Sequence, residues 1–587
     1  MNISNLIRDF RMAGFSIKTD GTKIHWEYLE GVPDPEETKK FLMLLKENKG
    51  EVIEELKNEV NMNLMAVDVE TTGLNPRESS IKLISWAGTS ESGASANVDV
   101  LKDKLANSSL QKVFHNAAFD VPFLETKGFP VNNYTDSMIM SQILGKKYQR
   151  HSLKAALKRE LNIEISKKLQ KASNWQGKLT KKHYQYAKND AKMTFRLAKH
   201  LLNKIIDNNL YEVFKRNENA LPQLVRLIKD GLYVDVNQWS DELEKYEIKK
   251  DEIEKSILEE LNSTINLNSH QQLKYALNNR GAKVANTKDE TLAKYEEEFP
   301  VITKIRKYKK FQKLTSSNTK FIDFADGDGR VRANWKLFGS ITGRMSCSKP
   351  NLQQMSYQFR KCIKPEEGNK FVGCDYSQVE LRVVSSLAQD RRMINAFKEG
   401  KDLHLTTAQL IYDKENISNE ERQIAKTCNF GLIYGMGADG LKRRLKQMIG
   451  MDIKLGEARK LRTKFLSSYK GLRRWQEKLL LKNYIKTLGG KRWSTKRLNT
   501  QELFNYPVQG SAAEGLKETM IVMNKKLPDN WKLVALIHDE ILLEVPEAEA
   551  KKALKELKKW MIAGMGQIVK DVPIKVDGII ADYWKKS

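Results

Sequence analysis

A chain of 587 residues is too long for one core, and 40% apolar content with only 13 prolines points to about three or four globular domains. No run of about 18 apolar residues, no apolar h-region in MNISNLIRDFRMAG and no C-x-x-C among Cys347, Cys362, Cys374 and Cys428 argue against a membrane span, a signal peptide, a disulfide framework and a cysteine zinc site. The net charge of +27 favours a polyanionic partner such as nucleic acid, and reduced thiols suit the cytoplasm.

Residues 1–60 read as a small separate module. In NISNLIRDFRMAGF, Ile3, Leu6, Ile7 and Phe10 share one helical face, with Asn5, Arg8 and Asp9 off it. SIKTDGTKIHWEYL follows as two short strands around the Asp20-Gly21 turn signal. ETKKFLMLLKENKGEVIEELKNEV reads as helical with an interruption near Gly50. The layout resembles small docking domains at the ends of some multi-enzyme subunits, which implies a partner such as a helicase, primase or processivity factor. Residues 61–205 alternate strand and helix patterns as an α/β domain does, 206–330 are mostly charged helix, and strands and helices mix from 331 onward. Long basic helices in the middle segment suit a duplex backbone as well as plain solvation.

Within 61–205, LMAVDVETTGL reads as a strand in which Asp68 and Glu70, two apart, project from one face. Two carboxylates forced together repel unless a cation lies between them. Asp120 follows the apolar strand QKVFHN, and Tyr186 and Asp190 are four apart on one face of a helix. Any one of these acids alone reads equally as a cap or a salt bridge. Together, four acids on three elements form a hard oxygen-ligand set suited to Mg²⁺ or Mn²⁺; a pair of such ions can generate hydroxide and stabilise a leaving oxygen. Tyr186 is suited to orient the attacking water. The order resembles the DEDD 3′–5′ exonucleases: D-x-E at Asp68 and Glu70, N-x-x-x-D at Asn116 and Asp120, Y-x-x-x-D at Tyr186 and Asp190. The tyrosine marks the proofreading branch. The resemblance implies an RNase H-like domain whose catalytic and metal-binding residues are Asp68, Glu70, Asp120 and Asp190.

FVGCDYSQVELR delivers Asp375 to the end of an apolar strand and returns an acid at Glu380. In RQIAKTCNFGLIYG, Arg422, Lys426, Phe430 and Tyr434 recur every fourth residue, which makes one helical stripe: two cations for phosphates, then aromatic planes for a sugar or base. LVALIHDEILLEV reads as a strand buried on both faces, with His538, Asp539 and Glu540 at its centre. Unpaired charge is costly to bury, so alternation is expected to turn Asp539 toward an open, metal-bearing cleft and His538 and Glu540 the other way, with the apolar flanks forming a rigid hairpin-like support.

These three stretches resemble motifs A, B and C of the family A DNA polymerases. NLNSHQQL resembles the thumb tip, ITGRMSCSKPNLQQM the primer-template segment, DLH the segment leading into the fingers, and NYPVQGSAAE the helix before motif C, all in the family's order. The resemblance covers roughly 64–587 and implies an α/β multidomain chain of the DNA polymerase I type. The expected layout is a 1–60 module, a 61–205 exonuclease and a 206–587 right-hand polymerase, with thumb about 206–330, palm about 331–390 and 496–587, and fingers about 391–495. Carried over by position, Asp375 and Asp539 would ligate two Mg²⁺ ions, with Mn²⁺ able to substitute. Arg422, Lys426 and His404 would hold the triphosphate, Lys426 also protonating the leaving group. Glu380, the steric gate against a ribose 2′-hydroxyl, would share the dNTP site with Gln378, Phe430 and Tyr434. Arg344, Asn505, Gln509 and His538 would meet the primer end or the minor-groove edge. Val379 replaces the family's usual isoleucine, a small change; Gln501 stands where repair members carry an arginine, so no template contact carries over.

The implied activity is templated DNA synthesis from dNTPs on primer-template DNA, with 3′–5′ proofreading. Only residues 1–60 precede the exonuclease, so no 5′ nuclease is expected, which points to a bacteriophage replicative enzyme in a host cytoplasm. A repair or gap-filling polymerase and a DNA-binding scaffold with inactive sites stand as rivals. By the same resemblance, phenylalanine at 430 lacks the hydroxyl that lets a tyrosine there replace the missing 3′-hydroxyl contact of a dideoxynucleotide. Primer extension with mixed dNTP and ddNTP is therefore expected to show strong discrimination, relaxed by Phe430→Tyr; near-equal incorporation by the parent chain would overturn this.

Overall fold

The computed structural model describes residues 2–28, 34–60, 63–146, 149–166 and 175–586. At the N-terminus, Asn2 caps helix Ile3–Met12, whose buried Leu6, Ile7 and Phe10 lie on the face expected from their spacing. Phe10 stacks on Phe15 with centroids 4.3 Å apart, and Phe15–Thr19 pairs antiparallel with Ile24–Tyr28 around the Asp20-Gly21 turn. The helical run that follows is interrupted near Gly50 as expected, with the break itself at Asn48. Asn48 closes Pro35–Glu47 with its side chain donating to the Leu44 carbonyl, whereas Gly50 sits inside Lys49–Val60. An asparagine amide competes for backbone partners and stops a helix, while a single exposed glycine costs only about 1 kcal/mol inside one.

This module is fastened to the rest of the chain. The buried Arg11 guanidinium pairs with both Glu59 oxygens (2.8 and 2.7 Å) and with Glu212 (3.3 Å), 5.2 Å from the centroid of the Tyr211 ring. Asn209, in the turn between helices Lys181–Asp207 and Tyr211–Asp230, donates to the Phe15 carbonyl at 3.0 Å.

A five-stranded mixed sheet follows, in the spatial order Ser92–Ser95, Ile81–Ala87, Leu64–Thr71, Gln111–Phe114, Tyr134–Asp136. Leu64–Thr71 pairs antiparallel with Ile81–Ala87 and parallel with Gln111–Phe114, and helix Lys181–Asp207 packs across the antiparallel side. Helix Tyr211–Asp230 then touches Ala117–Thr126 of this domain as well as Thr500–Asn524 and Lys532–Ile537 of the last one. The charged helices Val236–Leu261 and Pro300–Asn318 pack together around a satellite core that includes Ile257, Leu273, Ile302 and Tyr308. Among the described residues no helix is long and apolar enough to cross a membrane.

The last domain is built on an antiparallel sheet ordered Lys532–Ile537, Glu540–Pro546, Asn369–Tyr376, Val576–Ala581, backed by helix Ala550–Ile568. The apolar flanks of LVALIHDEILLEV are the two arms of a hairpin, as expected, but its centre is a turn and not a strand: His538 has φ +59° and forms the turn with Asp539. Both arms are buried, so neither shows the alternation that would have revealed the reversal, and the polar pair is the turn itself. Asp539 owes its direction to that turn and not to strand alternation. Helices Leu403–Tyr412, Asn419–Leu432, Ala438–Ile449 and Leu455–Ser468 pack in succession, Ser418 and Glu421 forming a capping box on the second.

At the far end of the sheet, the fully buried Glu544 accepts from Arg330 Nη2 at 2.8 Å on both oxygens and from Asn369 at 2.9 Å. Arg330 also donates to the Gly231 carbonyl at 2.9 Å, which ties helix Tyr211–Asp230 to the sheet. Removing one member of a buried pair strands the other. Arg330→Met is expected to destabilise this domain by about 3–5 kcal/mol in denaturant unfolding, and Arg330→Met with Glu544→Leu to recover much of that loss.

Candidate active sites

The palm-like sheet places Asp375 next to last on Asn369–Tyr376, in register with Glu540, while the adjoining hairpin turn presents Asp539. Both acids line a cavity of about 530 Å³ together with Arg344, Gln378, Glu380, His404, Lys426, Phe430 and His538. Burial, then the neighbouring Asp539, push the Asp375 carboxyl up to about 7; burial likewise raises Asp539 and Glu540. Asp375 Oδ1 is buried and accepts no hydrogen bond from a described residue.

Gln378, with φ +53°, turns the chain from the sheet into helix Val379–Ala388 and brings Glu380 to the cavity. The Glu380 carboxylate accepts from Arg344 Nη2 on one oxygen and from the Tyr434 hydroxyl on the other. Burial and that carboxylate hold the Tyr434 phenol well above its usual range. Arg422, Lys426 and Phe430 lie along Asn419–Leu432, but Tyr434 lies past its end, in the turn that reaches Gly435 at φ +78°. The fourfold spacing therefore outran the helix by two residues, because the glycine turn is continuous with it in sequence. Arg422 donates Nε and Nη2 to Asp402 Oδ2 at 2.9 and 2.6 Å, and the His404 ring centroid lies 5.5 Å from that of Phe430. Asn505 and Gln509 belong to helix Thr500–Asn524, one to three turns before Ala512, Ala513 and Leu516, which form the cavity wall. Neither is itself among the lining residues.

Several participants carried no sequence signal. Lys586 Nζ lies 3.7 Å from Asp375 Oδ2, on a tail anchored by the buried Trp584, whose backbone N–H donates to the Ile363 carbonyl at 2.9 Å. Arg360 stacks on that indole at 4.3 Å and opposes the rise in the Glu540 carboxyl. Asp402, inside the DLH segment, is the acid that Arg422 grips.

In the five-stranded domain, oxygens of Asp68, Glu70 and Asp190 lie within 4.8 Å of one another. Asp120 is beside them but differently engaged: its Oδ1 accepts the Val69 N–H at 3.1 Å, and burial with Asp68 pushes its carboxyl well up. Tyr186 hydrogen-bonds Asp190 and its phenol is raised by burial. Asp136, which sequence reading passed over, accepts from Asn116 N and Ala117 N at 3.0 and 2.9 Å and so caps the helix that carries Asp120. Both acid sets offer only oxygen donors, and the buried Asp375 oxygen without a donor suits a hard dication.

Two family models match the sequence: 3′-5′ exonuclease over residues 46–206 and DNA polymerase family A over residues 236–586. The chain belongs to DNA polymerase family A. DNA polymerase I of Aquifex aeolicus is 33% identical over 516 residues, which are 81% of this chain and 88% of that protein. DNA polymerase I of Pseudomonas aeruginosa is 26% identical, covering 91% of this chain and 64% of the relative; that of Chloroflexus aurantiacus is 28% identical, covering 83% and 56%. The chain thus spans most of one relative and between half and two thirds of the other two. The POL domain of Pol1 from M. smegmatis, solved in complex with DNA primer-template and dNTP, superposes with a TM-score of 0.78 at 20% identity, covering 91% of this chain and 98% of that one. The family A polymerase is accordingly a DNA-directed DNA polymerase with an RNase H-like 3′–5′ exonuclease domain, and family members of this kind use divalent metals.

Mn²⁺ titrated into the resting polymerase and followed by EPR is expected to bind at both acid sets. Asp190→Asn should remove about half of the bound ion and Asp375→Asn the other half, each leaving the second set intact; loss of all binding in either variant would contradict two separate sites.

Proposed function

We propose that the palm cleft extends a primer 3′-hydroxyl with dNTPs on a DNA template, Asp375 and Asp539 holding two Mg²⁺ ions, and that Asp68, Glu70, Asp120 and Asp190 hold the ions of a proofreading nuclease. The supporting observation is the convergence of Asp375, Asp539, Glu380, Lys426 and Phe430 on one cavity. When bound, such ions lower the pKa of the attacking hydroxyl and neutralise the departing pyrophosphate. Arg422, Lys426 and His404 bind the triphosphate, and Lys426, exposed on its helix, gives a proton to the leaving group. Phe430 stacks on the sugar, Gln378 borders the same pocket, and Tyr434 stacks at the templating position. Glu380 excludes a ribose 2′-hydroxyl; its two donors, Arg344 and Tyr434, favour that role because they fix its carboxylate. Arg344, Asn505, Gln509 and His538 contact the primer end and the minor-groove edge, testing pair shape without reading sequence. In the exonuclease, Tyr186 orients the attacking water.

The high lysine content favours a bacteriophage replicative enzyme acting in a bacterial cytoplasm, organised as the 1–60, 61–205 and 206–587 units. In that role the N-terminal module would dock a helicase, primase or processivity factor. The bacterial DNA polymerase I relatives favour a second reading, repair or gap filling. Processivity on a long primed single strand separates the two.

Asp539→Ala is expected to lower primer extension more than about a hundredfold while leaving 3′ degradation intact, and Asp68→Ala to do the reverse; extension unchanged in Asp539→Ala would sink the mechanism. Deleting residues 1–60 is expected to cut processivity or partner capture, and no change in either would remove the docking role.

A further inference from the structure

Asn429 stands one residue before Phe430 on helix Asn419–Leu432 and is fully buried behind the cavity wall. Its Nδ2 lies 2.9 Å from Nδ1 of His404, and its Oδ1 accepts from Thr407 Oγ1 at 3.1 Å. Thr407 Oγ1 lies 2.7 Å from the Tyr469 hydroxyl and 2.7 Å from the Leu403 carbonyl, and its one proton is divided between that carbonyl and Asn429 Oδ1. Asn429, Thr407 and Tyr469 are all fully buried, so the amide sits in a dry, hydrogen-bonded frame that spans three helical segments of the fingers. Buried polar frames of this kind specify one arrangement.

His404 is the only ring of this frame that reaches the cavity, where it stands beside Lys426 and Phe430. An imidazole nitrogen that accepts a hydrogen bond carries no proton, so donation to Nδ1 leaves the single proton of the neutral ring on Nε2. The reversed amide would put Oδ1 against a protonated Nδ1 and leave Nε2 as an acceptor, which repels a phosphate oxygen. We propose that Asn429 is a positioning residue that, by donating to Nδ1, holds His404 as the neutral Nε2–H tautomer and so supplies an uncharged donor to the nucleotide's triphosphate. This rests on the reading that His404 contacts that triphosphate.

The surroundings agree. The charged groups facing His404 are Asp402 from its own N-terminal turn and Arg422 and Lys426 from the neighbouring helix; the Tyr469 phenol stands behind Thr407. Burial, with Arg422 and Lys426 acting against Asp402, holds the imidazole down at about 4. Two cations already face the phosphates, and a neutral donor adds direction without a third charge that product pyrophosphate would have to leave behind.

The test uses the full chain. Long-range ¹H–¹⁵N correlation of histidine-labelled protein, with His404→Gln to assign the signal, is expected to report the Nε2–H tautomer of His404 from pH 6 to 8; an Nδ1–H tautomer overturns the proposal without any variant having to fold. Asn429→Asp replaces the donor with a carboxylate, which accepts from Nδ1–H and raises the imidazole pKa. Relative to the parent, its KM for dNTP should rise about tenfold between pH 6 and 8 as the ring loses its charge, with kcat following much less. In a His404→Ala background the same substitution should leave that ratio flat. A ratio that is flat with His404 present, or that persists without it, overturns the proposal. His404→Ala alone checks the underlying reading: an unchanged KM for dNTP would refute the triphosphate contact, while the tautomer signal would still report on Asn429.

Discussion

Mutual repulsion between carboxylates is the constraint around which this polymerase is built. The register that sets Asp375 opposite Glu540, and the turn that points Asp539 at the same cavity, leave the acids no means of separating while the sheet stays folded. A strand pairing is worth far more than any one such repulsion, so the backbone wins and the acids must adjust. They do so by holding protons, Asp375 up to about 7, or by sharing a cation. Lys586, 3.7 Å from Asp375, is the only described cation with an ion pair to that carboxylate. The exonuclease domain repeats the logic with different parts. There a strand supplies two acids at period two and a helix supplies the third, while Asp120 is held by the backbone N–H between them.

Around this centre the charges are paired in ways that keep each side chain in one place. Glu380 is gripped from two sides by Arg344 and Tyr434, Arg422 is gripped by Asp402, and His404 is backed by Asn429. The proposed contacts to nucleotide through Glu380, Arg422 and His404 are thus made by side chains already held by protein partners, which lowers the entropy lost on binding.

How much of this could be read from sequence follows from the range of the interaction. Short-period geometry was legible: Asp68 with Glu70, Tyr186 with Asp190, and Arg422, Lys426 and Phe430 on one helix all follow from spacings of two and four. Punctuation was less so. The turn at His538 and Asp539 hid inside an apolar run because both arms of its hairpin are buried, and the end of the helix before Tyr434 hid because the fourfold spacing continued through a glycine turn. Contacts between residues far apart in the chain were invisible: Lys586 reaches Asp375, Arg360 stacks on Trp584, and Arg11 joins Glu59 to Glu212 only because of the tertiary fold. The acids that the structure brings together were legible, then, and most of what steadies them was not.

Helix Tyr211–Asp230 has a consequence for editing. It lies against Ala117–Thr126, which carries Asp120, and against Thr500–Asn524, which walls the synthetic cavity, while Lys491 Nζ donates across the same joint to the Ile143 carbonyl at 2.5 Å. Arg11 and Arg330 rivet the two ends of that helix to their neighbours. The two acid sets are therefore joined through one strut. On the proposed reading of one acid set as synthetic and the other as editing, a strand end that moves between them has to leave its partner strand, so the ease with which the last base pairs open would bear on which set it reaches.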